Sequence, residues 1–155
     1  MKTVYLDSTI LSYLHDERPD LHYLIGQTKV WWLEQRPKFD CYISPETVRE
    51  LGVGNYPRKD RILAEAATLK LLTPHSRIEE IAKIYIENYL MPQEDGGDAL
   101  HLAYASFYEF DYLLSWNFSH LVNVNKRIHI SRINAKLGLT TPGIISPLEL
   151  FENGG

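Results

Sequence analysis

Short apolar runs alternate with longer helical segments along this chain, and that alternation restricts the fold more than any other feature. The runs predicted as strands lie at 3–6, 41–43, 71–72, 112–115 and 143–145. Each is short and apolar, as buried strands are. Parallel strands need a crossover between them, usually a helix, so this order predicts a mainly parallel sheet with helices on both faces. The predicted fold class is α/β.

Helix starts are marked by local signals. Ser44 followed by Pro45 predicts one start, because serine caps helices and proline suits their first turn. The S-x-x-E spacing from Ser76 to Glu79 has the form of a capping box and predicts another. In chain order, the segments predicted as helices are about 8–14, 21–35, a segment that begins at 45, 59–69, 76–90, 98–110, 124–137 and 147–151.

Composition sets the broad class of protein. With 155 residues, of which 45% are hydrophobic and 23% charged, the chain predicts one globular domain over 1–155. The single cysteine, Cys41, excludes a disulfide framework and a cysteine-type zinc site. Asp7 interrupts the N-terminal apolar run, so we expect a cytoplasmic protein without a signal peptide or membrane span.

Charge is unevenly distributed. Residues 1–111 carry 12 Lys and Arg against 18 Asp and Glu, whereas 112–148 carry four basic residues and no acid. The four are Lys126, Arg127, Arg132 and Lys136, in the predicted helix 124–137. A basic stretch on an acidic body can attract nucleic acid locally, although a solvated helix face explains it equally well.

Acidic side chains follow several of the predicted strands. Asp7 ends the first, Glu46 and Glu50 share a face of the helix after the second, and Asp98 begins a helix after Gly96-Gly97. Ligands bind at the carboxyl ends of strands in an open parallel sheet, so these acids are expected to converge. Asn117 follows the strand 112–115 and joins them.

Converging carboxylates repel one another, and a divalent cation relieves the repulsion. Oxygen ligands suit Mg²⁺ or Mn²⁺, and such an ion can orient water for attack on a phosphodiester. The alternative is that Asp7 and Asp98 are only helix caps, which are common at helix N-termini.

Four segments together resemble one family. They are YLDSTILSYL at 5–14, ISPETVREL at 43–51, GDALHLAYAS at 97–106 and DYLLSWNFSHL at 111–121. In order and spacing the chain resembles PIN-domain proteins of the VapC-toxin type. The resemblance implies a Rossmann-like, three-layer α/β/α fold and Mg²⁺- or Mn²⁺-dependent endoribonuclease activity. It also implies a toxin–antitoxin setting, with an RNA substrate and an antitoxin partner.

Carried onto this sequence, the family's acids correspond to Asp7, Glu50 and Asp98 as metal ligands and catalytic residues. The last family acid is replaced by Asn117, which contributes no negative charge. A subgroup of the family has the same Trp-Asn pair followed by His and Asn, here Trp116, Asn117, His120 and Asn123.

Several further residues are candidates. Glu46 competes with Glu50 for the crevice, and we favour Glu50 because Glu46 suits the positive end of the helix. His101, three residues after Asp98, is expected to pack beside the site. Ser8, Ser115 and His120, with the basic residues Lys126, Arg127 and Arg132, are the candidates for substrate binding.

The adjacent residues Trp31 and Trp32 diverge by about 100° on a helix, so one is expected inside and the other at the surface. An exposed ring would suit a partner, either a second copy of the chain in a homodimer or an antitoxin helix; ordinary partial exposure is the alternative. The sequence thus predicts a metal-dependent ribonuclease with Asp7, Glu50, Asp98 and Asn117 in its catalytic site. A PIN-fold RNA-binding or protein-interaction module that has lost efficient cleavage is the alternative.

Overall fold

A computed structural model describes residues 1–88, 90–91 and 97–152 of the chain. The described residues form one five-stranded sheet: β1 (Thr3–Leu6), β2 (Asp40–Ile43), β3 (Lys70–Leu71), β4 (Tyr112–Leu114) and β5 (Gly143–Ile145). The strand order is β3-β2-β1-β4-β5, and every neighbouring pair is parallel. β1 is therefore the central strand, with β2 on one side and β4 on the other.

Seven α-helices are formed by the described residues: α1 (Ser8–Leu14), α2 (His22–Val30), α3 (Pro45–Leu51), α4 (Lys59–Ala66), α5 (Ser76–Glu87), α6 (Gly97–Phe107) and α7 (Val124–Leu137). Ser44 caps α3 by accepting hydrogen bonds from the backbone of Glu46 and Thr47, as expected. None of the described helices has the length and hydrophobicity that crossing a bilayer requires.

Hydrophobic cores lie on both faces of the sheet, because successive side chains of β1 point to opposite faces. Tyr5 packs in a cluster with residues of α5, α6 and α7, whereas Val4 and Leu6 pack with residues of α1 and α4. The sheet is thus the middle of three layers. This confirms the predicted α/β/α architecture, and the all-parallel pairing agrees with the predicted mainly parallel sheet.

Several local predictions are wrong. The helices expected over 59–69 and 76–90 end three residues early, at Ala66 and Glu87. The helix expected over 98–110 ends at Phe107 because Glu109 takes a left-handed conformation (φ 56°) and turns Phe110 into the core. α5 is capped by His75, whose ring accepts from the backbone of Arg77 at 3.0 Å, so the serine capping box does not form. The helix expected over 147–151 is a turn at 147–149.

The two tryptophans contradict the expectation of an exposed ring. Trp31 and Trp32 are only 1% and 5% exposed, in a π-helical turn over Trp31–Gln35 that continues α2. The Trp31 indole donates to the carbonyl of Leu150 at 3.0 Å, and the Arg36 guanidinium lies 4.7 Å from the Trp32 ring. The wider turn does not separate adjacent side chains as an α-helix does, so neither ring offers a surface to a partner.

Candidate active site

The carboxyl ends of β1 and β4 bring Asp7 and Ser115 together. Leu6 and Leu114 are paired in the sheet, so the next residue of each strand lies at the same edge. Ser115 donates a hydrogen bond from Oγ to Oδ2 of Asp7 over 2.5 Å, and Asp7 is only 2% exposed. Register alone therefore places a buried carboxylate where ligands of a parallel sheet bind.

Asp7 also caps α1. Its Oδ1 accepts from the backbone N–H of Thr9 at 3.0 Å and from the Thr9 hydroxyl at 2.5 Å. The helix-cap interpretation is thus correct for Asp7, but it does not exclude a role for Asp7 in binding a metal ion. A carboxylate has about four acceptor positions. The described residues supply two hydrogen bonds to Oδ1 and one to Oδ2, so Oδ2 keeps an acceptor position for a cation.

Burial shifts the titration of this group. Desolvation raises the pKa of Asp7, while the charge of His101 and the hydroxyls of Ser115 and Thr9 partly oppose the increase. The charged form of Asp7 is therefore held at a cost, and a nearby cation would reduce that cost.

Glu50 projects from α3 towards the same region. Its Oε1 accepts from the Ser8 hydroxyl at 3.1 Å and forms a short hydrogen bond with Nε2 of His101. Burial would raise the pKa of Glu50, but the hydrogen bond and charge of His101, with smaller contributions from Ser8 and Arg49, lower it below its usual value. Glu50 is thus held as a carboxylate.

His101 lies between the acids. The residue is 1% exposed, and its Nδ1 is 2.5 Å from the hydroxyl of Tyr5. Burial lowers the pKa of His101, but the carboxylates of Glu50, Asp7 and Asp98 outweigh it and raise the pKa overall. The three predicted acids therefore all act electrostatically on one buried imidazole.

Asp98 lies in the first turn of α6 and is held by the loop after β4. Asn117 donates from Nδ2 to Oδ2 of Asp98 over 2.8 Å, and its Oδ1 accepts from the backbone of His120 at 3.0 Å. The Ser115 hydroxyl accepts from the backbone N–H of Asn117 at 2.9 Å. Ser115 thus connects Asp7 to the loop that supports Asp98.

Glu46, the competing glutamate, has a different environment. It is 7% exposed and forms a bidentate ion pair with Arg49 on the same helix, with the shortest N–O distance 2.5 Å. A Cβ atom on Gly97 would lie 2.6 Å from Oε2 of Glu50 and 3.4 Å from Oε1 of Glu46. A side chain at position 97 would therefore displace the carboxylate of Glu50 from its present place. Gly96 lies outside the described residues.

The predicted substrate-binding residues fall into two groups. Ser8 and Ser115 both donate to carboxylates of the cluster, so their hydroxyls orient those acids. On α7, the Lys126 ammonium donates to the carbonyl of Leu90 at 2.6 Å, Arg127 lies 3.6 Å from Glu149, and Arg132 is exposed.

The carboxylates of this site determine which kind of metal ion could bind here. Within 1–88, 90–91 and 97–152, no three His, Cys, Asp or Glu side chains form a group that could by itself hold a metal. Mg²⁺ usually takes only one or two direct carboxylates and keeps several waters. Carboxylates on three elements, with Oδ2 of Asp7 still able to accept, fit an ion of that type, bound largely through water.

Sequence reasoning missed Tyr5 and Thr9. The D-S-T order at 7–9 was a usable signal for Thr9, because an acid followed two residues later by a donor is typical of a helix start. Tyr5 lies two residues before Asp7 on β1, but its contact with His101 joins residues 96 apart in sequence, which no local pattern reports.

Solved structures of similar architecture identify the fold. One is the VapC20 toxin of Mycobacterium tuberculosis, a sarcin–ricin loop cleaving toxin. The superposition covers 71% of this chain and 86% of the VapC20 chain, with a TM-score of 0.56 and 15% sequence identity. A toxin–antitoxin complex from Klebsiella pneumoniae matches 79% and 93% with a TM-score of 0.57 and 19% identity. VapBC-1 from nontypeable Haemophilus influenzae matches 95% and 99% with a TM-score of 0.56 and 17% identity.

The chain has the VapC-type PIN fold. No protein-family model and no curated protein sequence matches it. At 15–19% identity the likeness to VapC structures is one of fold, and it confirms the three-layer α/β/α prediction. The cluster of Asp7, Glu50 and Asp98 lies at the edge of this PIN fold where the strands end.

Proposed function

We propose that this protein is a metal-dependent endoribonuclease that hydrolyses RNA phosphodiester bonds. The observation that carries the proposal is the cluster at the ends of β1 and β4. There a buried Asp7 is bonded to Ser115, Glu50 is bonded to His101, and Asp98 is bonded to Asn117. VapC20, which shares the fold, is a toxin that cleaves the sarcin–ricin loop.

Asp7, Glu50 and Asp98 would hold Mg²⁺ or Mn²⁺ directly or through water. A bound ion of this kind supplies a correctly oriented water and stabilises the charge that develops on the phosphate. The side chains around the acids fix them in place: Ser115 and Thr9 hold Asp7, Ser8 and His101 hold Glu50, and Asn117 holds Asp98. Because water is the nucleophile, hydrolysis needs no covalent enzyme intermediate.

RNA would approach from the loop after β4 and from α7. His120 follows Asn117 in that loop, where its ring can meet a phosphate or a base. The basic side chains of α7, Lys126, Arg127 and Arg132, supply charge that attracts the phosphate backbone. Lys126 and Arg127 already have partners, so the exposed Arg132 is the most available of the three.

The biological role that fits best is the toxin of a type II toxin–antitoxin pair in the cytoplasm. Two of the matching structures are toxin–antitoxin assemblies. The partners would be an antitoxin protein and a second copy of the chain.

The direct test is cleavage of mixed single-stranded RNAs by purified protein with Mn²⁺. We expect internal cleavage that chelator stops and that Asp7→Asn abolishes while the fold is retained. Asp7→Asn also serves as the control for contaminating nuclease, because a contaminant would survive the substitution. Equal cleavage by wild type and Asp7→Asn would contradict the proposal.

A second candidate, an RNA-binding or protein-interaction module without efficient cleavage, is favoured by Asn117. Its amide occupies the place of the family's last acid and brings no charge to the site. RNA binding by the wild type with no cleavage in Mg²⁺ or Mn²⁺ would select this second function.

A further inference from the structure

A continuous chain of buried hydrogen bonds ends at Glu50. The hydroxyl of Tyr5 lies 2.7 Å from Oγ of Ser44 and 2.5 Å from Nδ1 of His101, and Nε2 of His101 bonds to Oε1 of Glu50. Tyr5, Ser44 and His101 are each 0–1% exposed, so water does not compete for these contacts. The order of the chain is therefore Ser44, Tyr5, His101, Glu50.

Counting donors and acceptors gives the chain a direction. Oγ of Ser44 accepts from the backbone N–H groups of Glu46 and Thr47 at 3.2 and 3.4 Å. Those two bonds use the lone pairs of a hydroxyl, so Ser44 donates its own proton to Tyr5. The hydroxyl of Thr47 donates to the carbonyl of Leu6 at 3.2 Å and has no second proton for Tyr5.

The bond between His101 and Glu50 has the same direction whether the imidazole is neutral or charged. In a neutral ring, Tyr5 donates to Nδ1 and the proton of His101 is on Nε2. In a charged ring, both nitrogens donate, and Tyr5 turns its proton to Thr47, 3.4 Å away. Nε2 donates to Glu50 in both cases, so this orientation does not depend on how His101 titrates.

The chain also connects the three elements that carry the acids. Tyr5 lies on β1, which ends before Asp7, and His101 lies on α6, one turn after Asp98. Ser44 caps α3, the helix that carries Glu50. Glu50 is therefore connected through hydrogen bonds to all three elements. This connection keeps its carboxylate in a fixed position relative to Asp7 and Asp98.

We propose that His101 is a positioning residue for Glu50, and that Tyr5 fixes the orientation of the His101 ring. The role rests on the proposed function, because it concerns Glu50 as a ligand of the cation. His101 is only 1% exposed and both of its ring nitrogens are bonded to protein side chains, so it would act through Glu50 and not on the substrate itself. Removing a side chain that hydrogen-bonds to a metal ligand typically weakens metal affinity by about 10- to 100-fold.

The test measures Mn²⁺ binding directly, from the electron paramagnetic resonance signal of free Mn²⁺ in titrations of the full chain. His101→Leu fills the space but has no donor, and we expect its Kd for Mn²⁺ to rise by about 10-fold or more. His101→Gln restores an N–H donor and should recover most of the affinity. Tyr5→Phe keeps the ring in the core and removes only the hydroxyl, so it should weaken binding in the same direction even if the His101 variants fold poorly.

Tyr85→Phe is the matched control. Tyr85 is another fully buried tyrosine, and its hydroxyl donates to Oδ1 of Asn134 at 2.6 Å, within the hydrophobic core. It should lose stability but bind Mn²⁺ as the wild type does. If His101→Leu and Tyr5→Phe both keep the wild-type Kd, or if His101→Gln binds as weakly as His101→Leu, the positioning role is overturned while the proposed function stands. If the wild type itself binds no Mn²⁺ at millimolar concentration, the metal-dependent function fails as well.

Discussion

Asn117 and Asp98 are joined by a hydrogen bond of 2.8 Å from the amide Nδ2 to the carboxylate Oδ2. The amide oxygen is engaged by the backbone of His120, so the side chain faces Asp98 as a donor. An aspartate at this position would have no proton to donate and would face Asp98 with like charge. The neutral amide therefore holds the acid of α6 in place without adding repulsion.

Asn117→Asp is expected to destabilise the metal-free protein. A hydrogen bond to a charged group is lost and a repulsion is gained, at a cost of about 1–2 kcal/mol because both side chains are partly solvated. For a domain of this size the melting temperature should fall by about 2–8 °C. Melting curves in chelator and in Mn²⁺ check this, and Mn²⁺ should raise the melting temperature of the variant more than that of the wild type. Asn117→Ala, which removes the donor without adding charge, should be intermediate; an unchanged or higher metal-free melting temperature for Asn117→Asp would be the contrary result.

Glu50→Gln should reduce cleavage much more than Glu46→Gln. Glu50 is oriented by Ser8 and His101, whereas Glu46 is paired with Arg49. We expect Glu50→Gln to lower the initial rate by about 100-fold or more, the effect typical of removing one electrostatic group from an active site. Glu46→Gln is the control from the same helix. The reverse order of rates would identify Glu46 as the functional carboxylate.

Asp7→Asn should stabilise the metal-free protein while removing its response to Mn²⁺. Asparagine caps α1 about as well as aspartate, but it does not carry a buried charge. We expect the melting temperature in chelator to rise by about 2–6 °C. The wild type should gain about 2.7 kcal/mol at a hundredfold excess of Mn²⁺ over Kd, and Asp7→Asn should gain little.

Asp111→Asn is the matched control for that measurement. Asp111 is exposed, and its carboxylate accepts from the backbone N–H of Thr3 at 2.9 Å, at the start of β1 rather than its end. Its substitution should leave the Mn²⁺ response intact. An Mn²⁺ response of Asp7→Asn equal to that of the wild type would show that Asp7 has only a structural role.

The basic face of α7 predicts a dependence of RNA binding on salt. Arg132 and Lys136 are exposed. The logarithm of the RNA-binding constant falls linearly with the logarithm of the salt concentration, and replacing each residue with alanine should lower the magnitude of that slope by about 0.7 per lost phosphate contact. Affinities measured at several salt concentrations give the slope. Lys83→Ala removes an equally exposed cation from α5 and serves as the control. If the slopes stay the same for the α7 variants, the basic side chains of α7 do not contact RNA phosphates and only face solvent.

Cys41 should be unreactive in the folded protein. Burial raises the pKa of its thiol to about 12, so at pH 8 the reactive thiolate is scarce. A chromogenic disulfide reagent should therefore modify one thiol in denaturant and almost none in native buffer within the same time. Rapid modification of the native protein would show that β2 opens readily.

The sheet was predictable because its signal is local. The strands and α7 were predicted to within about one residue, since apolar runs and the caps at Ser44 and Asn123 act over a few positions. The end of α6 was not, because Glu109 adopts a conformation that only the packing of Phe110 explains.

For the site, the sequence predicted the acids but not their environment. Asp7 was proposed because the end of the first strand is visible in sequence, and Glu50 because of its place on the following helix and the family resemblance. The orientation of Glu50 by His101 was not, since that hydrogen bond joins residues 51 apart. One of the two tryptophans was expected at the surface from α-helical spacing, but the segment is a π-helical turn and both rings are buried.

The central place of β1 in the sheet also bears on when activity can begin during synthesis. β1 is the first strand made, but one of its two neighbours, β4, begins only at Tyr112. Asp7 gains its Ser115 partner only after that strand has left the ribosome. At about 5–20 residues per second, the nascent chain spends several seconds with its first acid made and its site unassembled. A ribonuclease built on this order of strands would be inactive until most of its sequence has been translated.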